Sequence, residues 1–306
     1  MAKYVGVKYA IGCNSGTDAL ILALKALGIG PCDKVAVPAF TFQATAAAVY
    51  AVGARPVFAD IYEDGYGINV STIKARVKAI IGVDMLGILA PWDEINAFAK
   101  WVNVPTIEDA AQSMGSVGAG KMGTIGCTSF YPSKPLAGIG DGGMVFAKGI
   151  VDADALRMHA NHGRIHSPFH AYVPGMNSRL DSLQAAVLVE RLKSLDHEIS
   201  FRKSQVLSYN GGSPVPHLDR CAWSWYPYLC ESTAKRESLL KKYGPLGAKV
   251  IYPIPLNRMA AFADSAMACP VAESVCERII AFPVKHHWEE NPCLDLVIQE
   301  GGIHEV

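Results

Sequence analysis

Short apolar runs alternate with helix-length patterns across the first two-thirds of the chain, and few architectures accept that order. "KYAIGC", "KVAVPAF", "RPVFADI" and "VKAIIGVDM" have the character of buried strands, while "SGTDALILALKALGIG" and "TFQATAAAVYAVG" between them read as helices. In the first helix Leu20, Leu24 and Leu27 recur on one face, Ser15 and Thr17 are candidate caps, and Gly28 is a stop. "PWDEINAFAKWVN" is an amphipathic helix with Pro91 near its first turn, and "VPTIEDA", "CTSFY" and "GMVFAK" supply further strands. Strands separated by helices pair in parallel and carry helices on both faces. The expected class is therefore α/β, with a mainly parallel, doubly wound sheet.

After Asn177 the pattern changes. "SRLDSLQAAVLVERLKSLDHEISFRKSQVLSYN" reads as one long helix with Leu180, Leu183 and Val187 at helical spacing. Beyond it, "AWSWYPYLC" and "AKVIYPIPL" read as strands, "STAKRESLLKKYG" as a helix, and "AESVCERIIAFPV" as a helix followed by a strand. Two domains are expected: a large α/β unit over 1–195 and a smaller α+β unit over 196–306, joined by the long helix.

Charge excludes some functions. Lys plus Arg and Asp plus Glu both number 28, so no electrostatic footprint for nucleic acid or an anionic membrane is expected. The eight cysteines are scattered without a C-x-x-C pair, which argues against a metal site or disulfide framework and for reduced thiols. "MAKYVGVKYAIGC" lacks the apolar core of a signal peptide, and no apolar stretch is long enough to cross a bilayer. A cytoplasmic protein is expected.

In a doubly wound sheet, ligands collect beyond the carboxyl ends of the strands, and four segments place polar or aromatic groups there. "CNSGTDA" follows a strand and opens a helix, so its amides and the hydroxyls of Ser15 and Thr17 suit a phosphate, although helix capping explains the same residues. "IEDAAQS" ends a strand with Asp109 and then Gln112. "TSFYPSK" carries Ser129 and, five residues on, Lys134. "AFTFQAT" places Phe42 at a strand-to-helix junction, where core burial is the default. Taken singly, each has an ordinary structural explanation. Together, a phosphate cradle, an aromatic plane, a carboxylate and a lysine are what pyridoxal phosphate requires: a Schiff base on the lysine, a protonated pyridine nitrogen on the carboxylate, and a stacked ring.

"GIGDGG" offers a competing cofactor, since Gly138, Gly140 and Gly143 have the G-x-G-x-x-G spacing of dinucleotide sites. That fingerprint must follow a strand and open a helix. Here the glycines precede "MVFAK", a strand pattern, so they are expected to form a turn that lets the backbone pass close to Lys134.

These segments, with "IGCTSFYPSKPLAGIGDGG" and "GMNSRLDSLQAAVL", resemble the DegT-type nucleotide-sugar aminotransferases, which are pyridoxal-phosphate enzymes of the aspartate-aminotransferase fold (fold type I). The resemblance runs in order from about Tyr4 to Leu195 and recurs in "VIYPIPLNRMAAF" and "PVAESVCERIIAFPV". It implies that Lys134 is the Schiff-base lysine and proton shuttle, that Asp109 pairs with the pyridinium, and that Gln112 contacts the ring's 3-hydroxyl. It also implies that Gly16, Thr17 and Ser129 hold the phosphate and that Phe42 stacks on the ring. Asn177 would reach the cofactor phosphate of a neighbouring subunit, implying a homodimer with shared sites. Arg179 and the loop "HANHGRIH" with His162 would face the nucleotide-sugar or the carboxylates of the amino donor. The implied reaction moves an amine from glutamate or glutamine to a keto-sugar on a nucleotide, with a UDP-linked 3-keto-2-acetamido-hexuronate favoured. A 4-keto-6-deoxy sugar, or a non-catalytic cofactor-binding relative, are the alternatives.

Overall fold

In the computed structural model, residues 1–209, 218–286, 289–299 and 303 are described. Seven strands form the main sheet: β1 (Tyr9–Cys13), β2 (Lys34–Pro38), β3 (Arg55–Ala59), β4 (Ala79–Val83), β5 (Thr106–Asp109), β6 (Ile125–Ser129) and β7 (Gly143–Ala147). Their spatial order is β1-β7-β6-β5-β4-β2-β3. Strands β3, β2, β4, β5 and β6 pair in parallel, whereas β7 runs antiparallel to both β6 and β1. The sheet is thus mainly parallel, as the alternation implies.

The helices here are α1 (Ala2–Val5), α2 (Gly16–Ala26), α3 (Ala44–Ala51), α4 (Trp92–Val102) and α5 (Ile150–Ala160). Side-chain alternation along the strands explains their placement. Val35 and Val37 of β2 pack with Leu20, Leu24 and Val49 of α2 and α3, while Ala36 between them packs with Trp92, Ile95 and Ala99 of α4. Both faces are covered, so the strands must be apolar throughout: β4 and β6 are buried at every position.

Helix α6 (Ser182–Ser208) has 27 residues and is about 40 Å long. Asp181 caps it by accepting from the Leu183 amide at 2.8 Å. Leu188, Leu195 and Ile199 bury against Phe130, Leu136 and Phe146. The apolar face expected from Leu180, Leu183 and Val187 does not form: Leu180 precedes the cap and Leu183 is exposed. Asn210, the expected end of this helix, lies outside the described residues.

The remainder comprises β8 (Trp225–Leu229), α7 (Thr233–Tyr243), α8 (Pro270–Arg278), β9 (Ile279–Pro283) and α9 (Pro292–Gln299), with β8 and β9 paired antiparallel. The strand expected in "AKVIYPIPL" is absent. Only Lys249 bridges, to Ala281; Tyr252 then takes φ 53°, and Pro253 and Pro255 lack the N–H groups that a ladder needs. Tyr209, Tyr226, Tyr243 and Phe282 belong to the same apolar cluster as α2 and the main sheet, so the core runs unbroken between the two sheets. All eight cysteines are free; seven are buried and Cys32 is exposed. No helix among the described residues is long and apolar enough to cross a membrane.

Candidate active site

A cavity of about 610 Å³ opens at the carboxyl ends of β4, β5 and β6, where a doubly wound sheet places ligands. Gly16, Thr17, Phe42, Asp109, Gln112, Ser129 and Lys134 all line it, so seven residues scattered over 119 positions converge on one space.

The phosphate-type corner is built by α2 and β6. Ser15 Oγ accepts from the Asp18 amide at 3.1 Å and caps the helix. Thr17 lies inside the first turn instead of capping it. The amides of Gly16 and Thr17 therefore have no intrahelical acceptor and carry the positive end of the helix dipole. A Cβ on Gly16 would meet the Cβ of Ser129 at 2.7 Å, so a glycine is needed for α2 to start against β6. Gly143 serves the same corner from below, since a Cβ there would come within 2.2 Å of the Ser15 carbonyl oxygen.

Asp109 ends β5 and is buried. Its Oδ2 accepts from Thr45 Oγ1 at 3.1 Å and its Oδ1 from the Ala111 amide at 3.2 Å. Burial raises its pKa; those two hydrogen bonds and the charge of Lys134 act in the opposite direction. Lys134 shows the reverse balance. Burial lowers its pKa and the charge of Asp109 pulls partly back. Its ammonium makes no hydrogen bond or ion pair with any described side chain. Burying an amine without a partner is costly, and that cost favours the neutral form needed for attack on a carbonyl.

Gln112 bridges two elements. Its Oε1 accepts from the Leu86 amide at 3.0 Å, and its Nε2 donates to Tyr252 Oη at 2.9 Å. Phe42 is 46% exposed despite its apolar ring and faces the cavity, with its ring centroid 6.2 Å from that of Tyr252. The default of core burial therefore fails for Phe42.

Asn177, Arg179 and His162 are not brought into this lining; all three are exposed. Asn14, next to the phosphate-type corner, holds the first two. Its Nδ2 donates to the Asn177 carbonyl at 2.9 Å, and its Oδ1 accepts from the Arg179 amide at 3.0 Å. His162 sits in a turn at φ 57°, its amide donating to the Met176 carbonyl at 2.9 Å.

The glycine turn also differs from expectation. The chain from Phe130 to Gly142 links antiparallel neighbours β6 and β7 and opens no helix, so the dinucleotide context is absent. Its glycines make room for α6, not for the lysine: Gln184 Oε1 accepts from the Ile139 amide at 2.8 Å and would lie 2.6 Å from a Cβ on Gly138.

Sequence reasoning missed Thr45, Asp141, Trp225, Lys249 and Tyr252, all of which line the cavity. It also missed a carboxyl pair behind it. Glu108 points to the opposite face from Asp109, where its Oε1 accepts from the Gly120 amide and its Oε2 from the Met122 amide, each at 2.6 Å. Asp84 Oδ1 accepts from the Ala90 amide and Trp92 Nε1, each at 2.9 Å, and its Oδ2 accepts from Ser113 Oγ at 2.7 Å. Both carboxyls have 0% exposure and each raises the cost of ionising the other, so holding both charged is unfavourable. Burial pushes Asp84 up to about 6; burial and the charge of Asp84 raise Glu108 well above its ordinary value.

The profile of the DegT/DnrJ/EryC1/StrS aminotransferase family matches residues 1–298. The chain belongs to this family. A UDP-2-acetamido-2-deoxy-3-oxo-D-glucuronate aminotransferase of Pseudomonas aeruginosa is 40% identical over 299 residues, covering 93% of this chain and 83% of that one. A UDP-N-acetyl-3-dehydro-alpha-D-glucosamine 3-aminotransferase of Acidithiobacillus ferrooxidans is 38% identical, with coverages of 93% and 81%. Among solved structures, a DegT DnrJ EryC1 StrS aminotransferase from Brucella abortus superposes with TM-score 0.89 at 38% identity, over 97% of this chain and 86% of that one. The Bacillus subtilis member NtdA, solved with bound cofactor PMP, superposes with TM-score 0.89 at 26% identity, over 97% and 73%. This DegT-family chain is an aminotransferase of the pyridoxal-phosphate-dependent fold, and its cofactor is pyridoxal 5′-phosphate.

Proposed function

We propose that the protein transfers an amino group from glutamate or glutamine to a UDP-linked 3-keto-2-acetamido-hexuronate, with the cavity around Lys134 as its active site. The observation that carries this reading is Lys134 itself: a half-buried, unpartnered amine in the same cavity as a buried carboxylate and a free helix N-terminus. Support for the sugar comes from the two relatives at 40% and 38% identity, both named for UDP sugars oxidised at C3.

The residues fit the cofactor. Gly16 and Thr17 would hold its phosphate with main-chain amides, and Ser129 would add a hydroxyl. Phe42, half-exposed at the cavity wall, would cover one face of the ring. Asp109 would hold a proton on the ring nitrogen, with Thr45 and Ala111 fixing its carboxylate. Gln112 would offer its remaining Nε2 proton to a ring hydroxyl, its other bonds being made to Leu86 and Tyr252. Lys134 would hold the cofactor covalently and then carry a proton to and from the substrate carbon. When bound, pyridoxal phosphate supplies the electron-withdrawing ring that makes that carbon acidic.

A homodimer would complete the site. Leu183, Ile139 and Val189 on and beside α6, and Phe169 and Tyr172 beside Asn177, expose apolar surface that a second copy would cover. Asn177, Arg179 and His162 would then face the partner's cavity; sedimentation equilibrium reports the assembly directly. The eight free thiols suit the cytoplasm.

Borohydride reduction in the presence of pyridoxal phosphate, followed by peptide mapping, should place one pyridoxyl group on Lys134. Lys134→Ala should lose multiple turnover altogether. Full turnover in that variant, or a label elsewhere, would sink the assignment.

A further inference from the structure

Among the described residues, four charged side chains line the cavity: Lys134, Asp109, Asp141 and Lys249. The first two are occupied by the cofactor under the reading above, which leaves Lys249 as the second cation. Its backbone is fixed, because it exchanges two hydrogen bonds with Ala281 of β9, at 2.9 and 2.8 Å. Its side chain is fixed too, with Nζ 4.0 Å from the centroid of the Trp225 ring, which also lines the cavity. An ammonium over an indole face is held by the ring quadrupole, so the charge has a defined place before any ligand arrives. No described carboxylate pairs with it, although Asp141 lines the same cavity. Burial and then the charge of Lys285 lower its pKa, and both effects would be opposed by an anion in contact.

A preplaced, unpaired cation at the wall of a substrate cavity selects for an anionic ligand group. The two relatives at 40% and 38% identity are named for substrates that differ at this point, since one is a glucuronate and carries a carboxylate while the other is a glucosamine and carries none. We infer that Lys249, clamped by Trp225, is the specificity-determining residue of this site and binds the ring carboxylate of a hexuronate substrate. The inference rests on the aminotransferase reading of the cavity and deepens it. Asp141 would face the uncharged hydroxyl side of the sugar, where it can accept hydrogen bonds without opposing the carboxylate.

The test uses the holoenzyme with Lys249→Met, which keeps an unbranched stem one atom shorter and removes the charge, and Lys249→Arg, which restores it. Binding is measured by calorimetry with UDP-N-acetylglucosaminuronate and with UDP-N-acetylglucosamine, neither of which has a keto group to react. The amino-donor half-reaction is followed separately by cofactor absorbance with glutamate. Loss of a charge-assisted hydrogen bond predicts about tenfold weaker binding of the hexuronate analogue by Lys249→Met, at least partial recovery in Lys249→Arg, and less than about twofold change for the neutral sugar and for glutamate. Equal weakening of both sugar nucleotides would overturn the assignment in favour of the diphosphate. Weakening confined to glutamate would overturn it in favour of the donor's carboxylate, and unchanged binding of every ligand would remove Lys249 from the site. Wild-type protein that binds the hexuronate tenfold better than the neutral sugar, yet transfers no amine, would reject the catalytic reading and leave the Lys249 assignment standing.

Discussion

The carboxyl pair behind the cavity makes two isosteric substitutions behave oppositely. Asparagine at position 84 can keep its carbonyl on the Ala90 amide and Trp92 Nε1, and present its NH2 to Ser113 Oγ, which reverses to accept. It also removes the negative charge that Asp84 sets beside Glu108. Glutamine at position 108 has no such arrangement. Both Glu108 oxygens accept from main-chain amides, so either orientation sets an NH2 against the N–H of Gly120 or of Met122. Glu108→Gln should cost about 1–3 kcal/mol, the penalty of an unsatisfied buried donor, at every pH. Asp84→Asn should instead change the pH dependence. A carboxyl raised from 3.8 to about 6 in the folded state binds its proton more tightly there than when unfolded. Its contribution is fully present below the unfolded value and is lost as pH rises through about 6. At 1.36 kcal/mol per unit, wild type should lose about 2.5 kcal/mol relative to Asp84→Asn between pH 4 and pH 8. Denaturant unfolding at saturating cofactor, at matched pH values, measures the difference. A gap between wild type and Asp84→Asn that stays constant with pH would refute the raised Asp84 carboxyl, and a Glu108→Gln variant as stable as Asp84→Asn would refute the acceptor roles of Glu108.

Two further outcomes follow from the site's geometry. Thr45→Val removes a buried hydroxyl from the Asp109 carboxylate and should cost about 1 kcal/mol, more at pH 8 than at pH 5, because the lost bond stabilised the charged form; unfolding at the two pH values checks it. Gly143→Ala drives a methyl into the Ser15 carbonyl and should cost about 1–3 kcal/mol while displacing the start of α2. Its apparent affinity for pyridoxal phosphate, titrated by absorbance, should fall by at least about tenfold, and unchanged affinity would detach Ser15–Thr17 from phosphate binding.

The sheet was legible because parallel strands buried on both faces must be written as apolar runs, and "AIIGV" and "IGCTS" have no other use. Segment 248–256 was misread because its apolar residues resemble a strand while its prolines and the left-handed Tyr252 forbid one. Helix α5 escaped notice because it buries only Ala153, Leu156 and Ala160, too thin a stripe to stand out. Within the site, residues at or just after a strand end announced themselves: Asp109, Ser129 and the turn at Gly16. Thr45, Trp225 and Lys249 did not, because each reaches the cavity through tertiary approach and resembles an ordinary helix or strand residue in the sequence. Gln184 was equally silent, since an unremarked amide on a long helix carries no mark that a glycine turn 45 residues earlier was shaped around it.

The distribution of thiols has a practical consequence. Alkylation requires both access and a thiolate, and burial denies both to seven of the eight cysteines, with Cys13 pushed up to about 12 and Cys221 and Cys230 to about 11. Cys32, exposed in the turn between α2 and β2, is left to react alone. A fluorophore added to the folded protein should therefore attach at one known position, remote in sequence from Lys134. Each further equivalent taken up then reports a chain that has opened, so the molecule carries its own counter for unfolding.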